Sequence, residues 1–166
     1  MNDLLQYGLL ILVGMMAGVI NTLAGGGSLL TLPVLIFMGL PPNVANATNR
    51  IGIAFQALIG TAGYRSKGVT NFPFNIYLGI AALIGSLIGA QIAVNIKGET
   101  FNKVLAVIMI IVVAIIVFKP KVSSLELPER LTGKYLFYAV IGFFFIGIYG
   151  GFINAGIGFV IILFLN

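Results

Sequence analysis

The chain has 166 residues, 60% of them hydrophobic and 8% charged, with a mean hydropathy of +1.13. An ordinary globular domain carries roughly 25% charged residues, so this composition excludes a soluble fold and requires lipid as the solvent. The net charge of +5 does not indicate a nucleic-acid partner, because the nine Lys and Arg residues fall almost entirely in short segments between apolar runs. There they serve as topology signals.

Cys and His are both absent. That removes disulfides, thiol nucleophiles, imidazole bases and the usual zinc ligands, so neither a metal nor another cofactor is expected. The N-terminus lacks a basic n-region and a cleavage site, and its apolar stretch reads as a retained membrane segment.

The first apolar segment covers residues 4–20 and meets the run Asn21-Thr22-Leu23-Ala24-Gly25-Gly26-Gly27-Ser28. Three glycines are poor helix formers, and the helix is expected to break there. Residues 29–40 form an apolar piece of only 12 residues before Pro41-Pro42, about 18 Å of helix, too short for an untilted span. It reads as a half-helix or re-entrant limb. Full segments follow at 44–64, 74–94 and 104–118, and a fifth begins near Tyr135. Arg65, Lys67, Lys119, Lys121, Arg130 and Lys134 lie on one side of this arrangement and Lys97 and Lys103 on the other, which places loops 65–73 and 119–134 in the cytoplasm.

An internal repeat is visible in outline. Gly18-Val19-Ile20-Asn21 resembles Gly151-Phe152-Ile153-Asn154, and Ala24-Gly25-Gly26-Gly27 resembles Ala155-Gly156-Ile157-Gly158. Chance similarity between glycine-rich membrane segments is the alternative. If residues 29–40 cross the membrane, the repeats are inverted and the N-terminus is outside; if they only dip in, the repeats are parallel and the N-terminus is cytoplasmic. The expected fold is an all-α polytopic transmembrane helix bundle with a broken or re-entrant helix. Its first repeat occupies residues 1–134, and a truncated second repeat starts at 135–166.

Unwound backbone in a membrane is tolerated only where protein buries it or a cavity borders it. Gly25, Gly26, Gly27 and Ser28 would form such a place, with amides and a helix N-terminus suited to an anion and Ser28 as a cap. Close helix packing is the competing reading. Asn46, Asn49, Arg50, Gln56 and Gly60 fall within an arc of roughly 120° on a helix. A charged residue within a membrane segment is a functional candidate, while snorkelling to the interface is the bland reading of Arg50 and interhelical bonding that of Gln56. Gly85 and Gly89, four apart, fit a packing face. The four acids, Asp3, Glu99, Glu126 and Glu129, all lie near termini or in loops, so no intramembrane carboxylate is available to carry protons.

The run from Gly18 to Leu35, then Gly39-Leu40-Pro41-Pro42 and Ala47-Thr48-Asn49-Arg50-Ile51, resembles the TauE/SafE family of sulfite exporter-like permeases, chiefly over the opening 70 residues. The resemblance implies an inner-membrane, multi-pass transporter of two homologous halves, exporting sulfite, organosulfonates or other small organic anions. Carried onto this chain, the motif positions are Gly25, Gly26, Gly27, Ser28, Pro33, Thr48, Asn49 and Arg50. The expected substrate-binding set is therefore Gly25, Gly26, Gly27, Ser28, Asn46, Thr48, Asn49 and Arg50. Two departures stand out: the chain stops early in the second copy, and that copy has Ile157 and Phe159 where the first has Gly26 and Ser28.

The expected partners are a small anion, the lipid bilayer, and either a complementary second half or a homo-oligomer. A non-transporting or truncated subunit is the alternative. An enzyme with Ser28 as nucleophile is not expected, because no His or intramembrane acid supplies its base.

Overall fold

The computed structural model describes residues 3–69, 72–118 and 132–165. Among these it places seven helices and no strand: α1 (Asp3–Ala24), α2 (Ser28–Phe37), α3 (Pro42–Ser66), α4 (Phe74–Asn95), α5 (Gly98–Val117), α6 (Lys134–Phe152) and α7 (Ile157–Leu165). The all-α reading therefore holds. Most of loop 119–134, with Lys119, Lys121 and Arg130, lies outside the described residues, as do Thr70 and Asn71 of the other loop expected in the cytoplasm.

Four helices contain stretches long and apolar enough to cross a membrane: Leu4–Leu23, Phe74–Asn95, Gly98–Ile115 and Lys134–Phe152. The 44–64 segment behaves differently. It forms α3, 25 residues long, about 37 Å at 1.5 Å per residue, yet its Asn, Gln and Arg side chains keep it out of that apolar set. A helix long enough to span but too polar for lipid belongs where protein or water borders it.

Two boundaries differ from the hydropathy reading. α1 runs on to Ala24 because Asn21 and Thr22 are accommodated, Thr22 bonding back to the carbonyl of Gly18 at 2.8 Å. α5 begins at Gly98, where the Lys103 ammonium meets Glu99 at 2.9 Å one turn away. This pair extends the helix past the point where apolarity stops, with the acid at the positive helix end.

α4 and α6 form the tightest pair. A Cβ placed on Gly85 would lie 2.1 Å from the carbonyl oxygen of Phe144, and one on Gly89 would lie 2.0 Å from that of Ile148. Reciprocally, Gly147 and Gly151 of α6 approach the carbonyls of Ala82 and Ser86 at 2.3 and 2.1 Å by the same measure. In lipid, where apolar burial drives little, such backbone-to-backbone contact supplies the packing. The expected packing face at Gly85 and Gly89 is thus occupied by α6. A core around Leu32, Ala45, Phe101, Leu105, Ile153 and Ala155 joins this pair to α2, α3 and α5, and Phe101 meets Phe152 edge-on with ring centroids 5.8 Å apart.

Candidate functional site

The turn between α1 and α2 is built from side-chain bonds as well as glycine. Gly25 has φ 69°, a conformation that costs an L-residue roughly 1–2 kcal/mol. The Oδ1 of Asn21 accepts the N–H of Gly27 at 3.1 Å, and its Nδ2 donates to Gln56 Oε1 at 2.9 Å. Gln56 thus makes the interhelical bond foreseen for it.

Ser28 does not cap α2, contrary to expectation. Gly27 already has helical angles, φ −58° and ψ −29°, which draws Ser28 into the first turn; its Oγ is buried without a hydrogen-bond partner among the described residues.

Close packing also accounts for the glycine run sterically. A Cβ on Gly25 would lie 2.2 Å from the Cα of Gly158, one on Gly26 2.5 Å from the ring of Phe159, and one on Gly27 2.2 Å from the carbonyl oxygen of Ala17. The start of α7 therefore sits directly against the turn after α1, and the N–H of Gly158 donates to the Gly25 carbonyl at 3.2 Å. The bulky Phe159 of α7 fills the space that Gly26 leaves in this turn.

The polar face of α3 is divided among several partners. Asn49 Oδ1 accepts the hydroxyl of Thr31 at 2.6 Å. Arg50 Nη2 donates to the carbonyls of Gly151 and, at 3.1 Å, Phe152; Asn46 Nδ2 also donates to Phe152 O, at 3.0 Å. These carbonyls belong to the last turn of α6, which has no intrahelical donors and carries the partial negative end of the helix dipole. Arg50 thus reaches inward to a helix end and does not snorkel.

Three cavities follow one another along α3. The first, about 400 Å³ between α3 and α4, is bordered by Asn43, Asn46, Thr48 and Arg50. The second, about 160 Å³, is bordered by Thr31, Thr48, Asn49 and Gln56. The third, about 390 Å³, is bordered by Asn21, Gly25, Gln56 and Tyr64, with Ile157 and Gly158 of α7. Thr48 is shared by the first two, and Ile53 and Gln56 by the second and third. From Asn43 to Tyr64 the rise is about 32 Å, close to a hydrocarbon core of roughly 30 Å.

Of the expected set, Asn46, Thr48, Asn49 and Arg50 border the first two cavities and Gly25 the third. Gly26, Gly27 and Ser28 are buried and border none of the three. Asn21, Thr61 and Tyr64 also border the third cavity and were not singled out for it in the sequence. The position of Asn21 at the head of the glycine run was the available signal; Thr61 and Tyr64 offered none. Among the described residues, Arg50 is the one charged side chain bordering any of the three cavities. Among the described residues no cluster of His, Cys, Asp or Glu could hold a metal ion.

The sequence profile of the family described as sulfite exporter TauE/SafE matches residues 10–166. A probable membrane transporter protein of Haemophilus influenzae is 30% identical over 150 residues, covering 90% of this chain and 58% of that protein. The probable membrane transporter protein YfcA of Escherichia coli K12 is 30% identical over 155 residues, 93% of this chain and 56% of its own length. Probable membrane transporter protein ORF9 of a Sinorhizobium species is 25% identical over 149 residues. The chain spans a little over half the length of these curated relatives. No solved structure matches it.

Proposed function

Because the chain belongs to the sulfite exporter TauE/SafE family of multi-pass plasma-membrane transporters, we propose that it supplies an anion path for a permease exporting sulfite, organosulfonates or related small organic anions. The observation that carries this reading is the succession of three cavities along α3. That helix is long enough to cross the bilayer yet too polar to face it. The first cavity combines a permanent cation, amide donors and the N-terminal end of α3, with no carboxylate among the described residues on its border. An oxyanion suits such a lining, and the forked guanidinium suits it better than an ammonium would.

In this reading Asn46, Thr48, Asn49 and Arg50 bind the anion as it travels. Gly25, Gly26, Gly27 and Ser28 shape the far end, where the two glycine turns meet. The segments 1–134 and 135–166 are read as one repeat and the start of another.

Efflux of sulfite and a set of organosulfonates from proteoliposomes tests the proposal. One arm contains this chain alone and another adds the segment that completes its relatives' length. Arg50→Gln should reduce anion efflux by tenfold or more, the order of one lost charge-assisted hydrogen bond of about 1.5–3 kcal/mol, while inserted, folded protein stays at the parent level. A parallel fall in folded protein and efflux would show that Arg50 serves the fold alone. Absence of efflux for every anion from both correctly inserted forms would end the anion reading.

A further inference from the structure

The only charge along the path among the described residues is committed to protein carbonyls. Arg50 Nη2 makes both of its bonds to the end of α6, at Gly151 and Phe152, while the residue also borders the cavity shared with Asn43, Asn46 and Thr48. A guanidinium has five N–H donors and no acceptor, so it serves either set of oxygens by a short reorientation. A helix C-terminus presents only about half an elementary charge; an anion in the cavity presents a full one. At low dielectric the anion competes strongly.

We propose that Arg50 is an anion-operated latch on the C-terminal end of α6, a positioning residue through which occupancy of the first cavity is communicated to the third. The proposal rests on the anion reading above. With the cavity empty, Arg50 and Asn46 hold the final turn of α6. Residues 153–156 follow directly and lead into α7, whose Gly158 bonds to Gly25 and whose Ile157 and Gly158 border the third cavity. An anion that takes the guanidinium leaves Gly151 O without this donor and Phe152 O with Asn46 alone, so the turn and the start of α7 loosen together.

A second observation marks the latched arrangement as incompletely satisfied. Asn46 is 3% exposed, and its Oδ1 has no partner among the described residues although its Nδ2 is bonded. Its orientation is set by the Phe152 carbonyl, since flipping the amide would oppose two acceptors. The latched arrangement thus carries an unpaired buried acceptor beside Arg50's own partner, Phe152 O, a cost to that arrangement.

The absence of Cys from the chain permits a clean reporter. Ile157→Cys, in the full chain reconstituted into lipid vesicles, is labelled with a maleimide with and without methanesulfonate, which unlike sulfite does not consume the reagent. Binding of methanesulfonate is followed separately by calorimetry. The latch predicts labelling faster by about fivefold or more with the anion, the low end of typical coupling between two sites. It also predicts that adding Arg50→Lys, which keeps the charge but loses the fork, makes labelling fast without anion and insensitive to it.

Binding heat with unchanged labelling in the Arg50 parent overturns the latch and leaves the anion reading intact. Slow, anion-sensitive labelling in Arg50→Lys also overturns it. No binding heat and unchanged labelling in the parent overturn the latch, and the efflux of the other anions decides the anion reading separately. If Arg50→Lys does not fold, the parent's response to methanesulfonate decides alone.

Discussion

The two glycine turns share a backbone conformation and differ in everything that surrounds it. Gly25, after α1, has φ 69°, and Gly156, after α6, has φ 70°. A Cβ on Gly25 would strike the Cα of Gly158 at 2.2 Å, whereas one on Gly156 would strike a methyl of Val112 at 2.4 Å. Backbone cannot step aside; a valine methyl can. The first turn is tied by its own Asn21, the second by Arg50 and Asn46 from α3 and by the hydroxyl of Tyr149 on Ala155 O at 2.6 Å. A shared motif therefore does not imply shared tolerance or a shared task, because neighbours decide both.

The largest expected contrast lies at these two glycines. Gly25→Ala combines left-handed strain of roughly 1–2 kcal/mol with overlap against backbone, and should abolish monodisperse protein in detergent. Gly156→Ala should yield folded protein with a lowered Tm, partly restored by adding Val112→Ala. Equal losses without rescue would break the comparison.

A smaller contrast concerns the helices that lead into the turns. Gly14 and Gly18 of α1 have the same spacing as Gly147 and Gly151 of α6, but a Cβ on Gly14 would meet nothing within 4 Å, while one on Gly147 lies 2.3 Å from Ala82 O. Gly147→Ala should cost about 1–3 kcal/mol or more through overpacking, and Gly14→Ala should leave the thermal midpoint in place. A matching loss at Gly14 would mean that its face is covered in the membrane-inserted protein.

The smallest effects belong to the tethers. Asn21→Ala removes two hydrogen bonds and strands the buried amide of Gly27, at a cost of roughly 1–3 kcal/mol. Tyr149→Phe removes one bond, for about 1 kcal/mol. Denaturant-dependent proteolysis of the two variants should rank them in that order, and the reverse ranking would place the tighter tether in the second turn.

Much of this was legible in the residues. Long apolar runs marked α1, α4, α5 and α6 because lipid admits little else. Gly25 to Gly27 marked the end of α1, and the Asn46, Asn49, Arg50 and Gln56 arc marked a helix face turned away from lipid. Gly85 and Gly89 announced close packing without naming α6. The reading faltered where bonding outweighed hydropathy: α5 begins earlier because Glu99 pairs with Lys103, and Ser28 is no cap because Gly27 is already helical.

By itself, then, the sequence determined the solvent, the helices and the polar face of α3, since hydropathy and helical period are properties of neighbouring residues. Only the tertiary structure decided that Arg50 serves carbonyls about a hundred residues away, that Phe159 fills the space beside Gly26, and that the polar positions of α3 open onto three successive cavities. Which donor meets which orphaned carbonyl depends on how remote helix ends are brought together, and no local pattern in the chain encodes that.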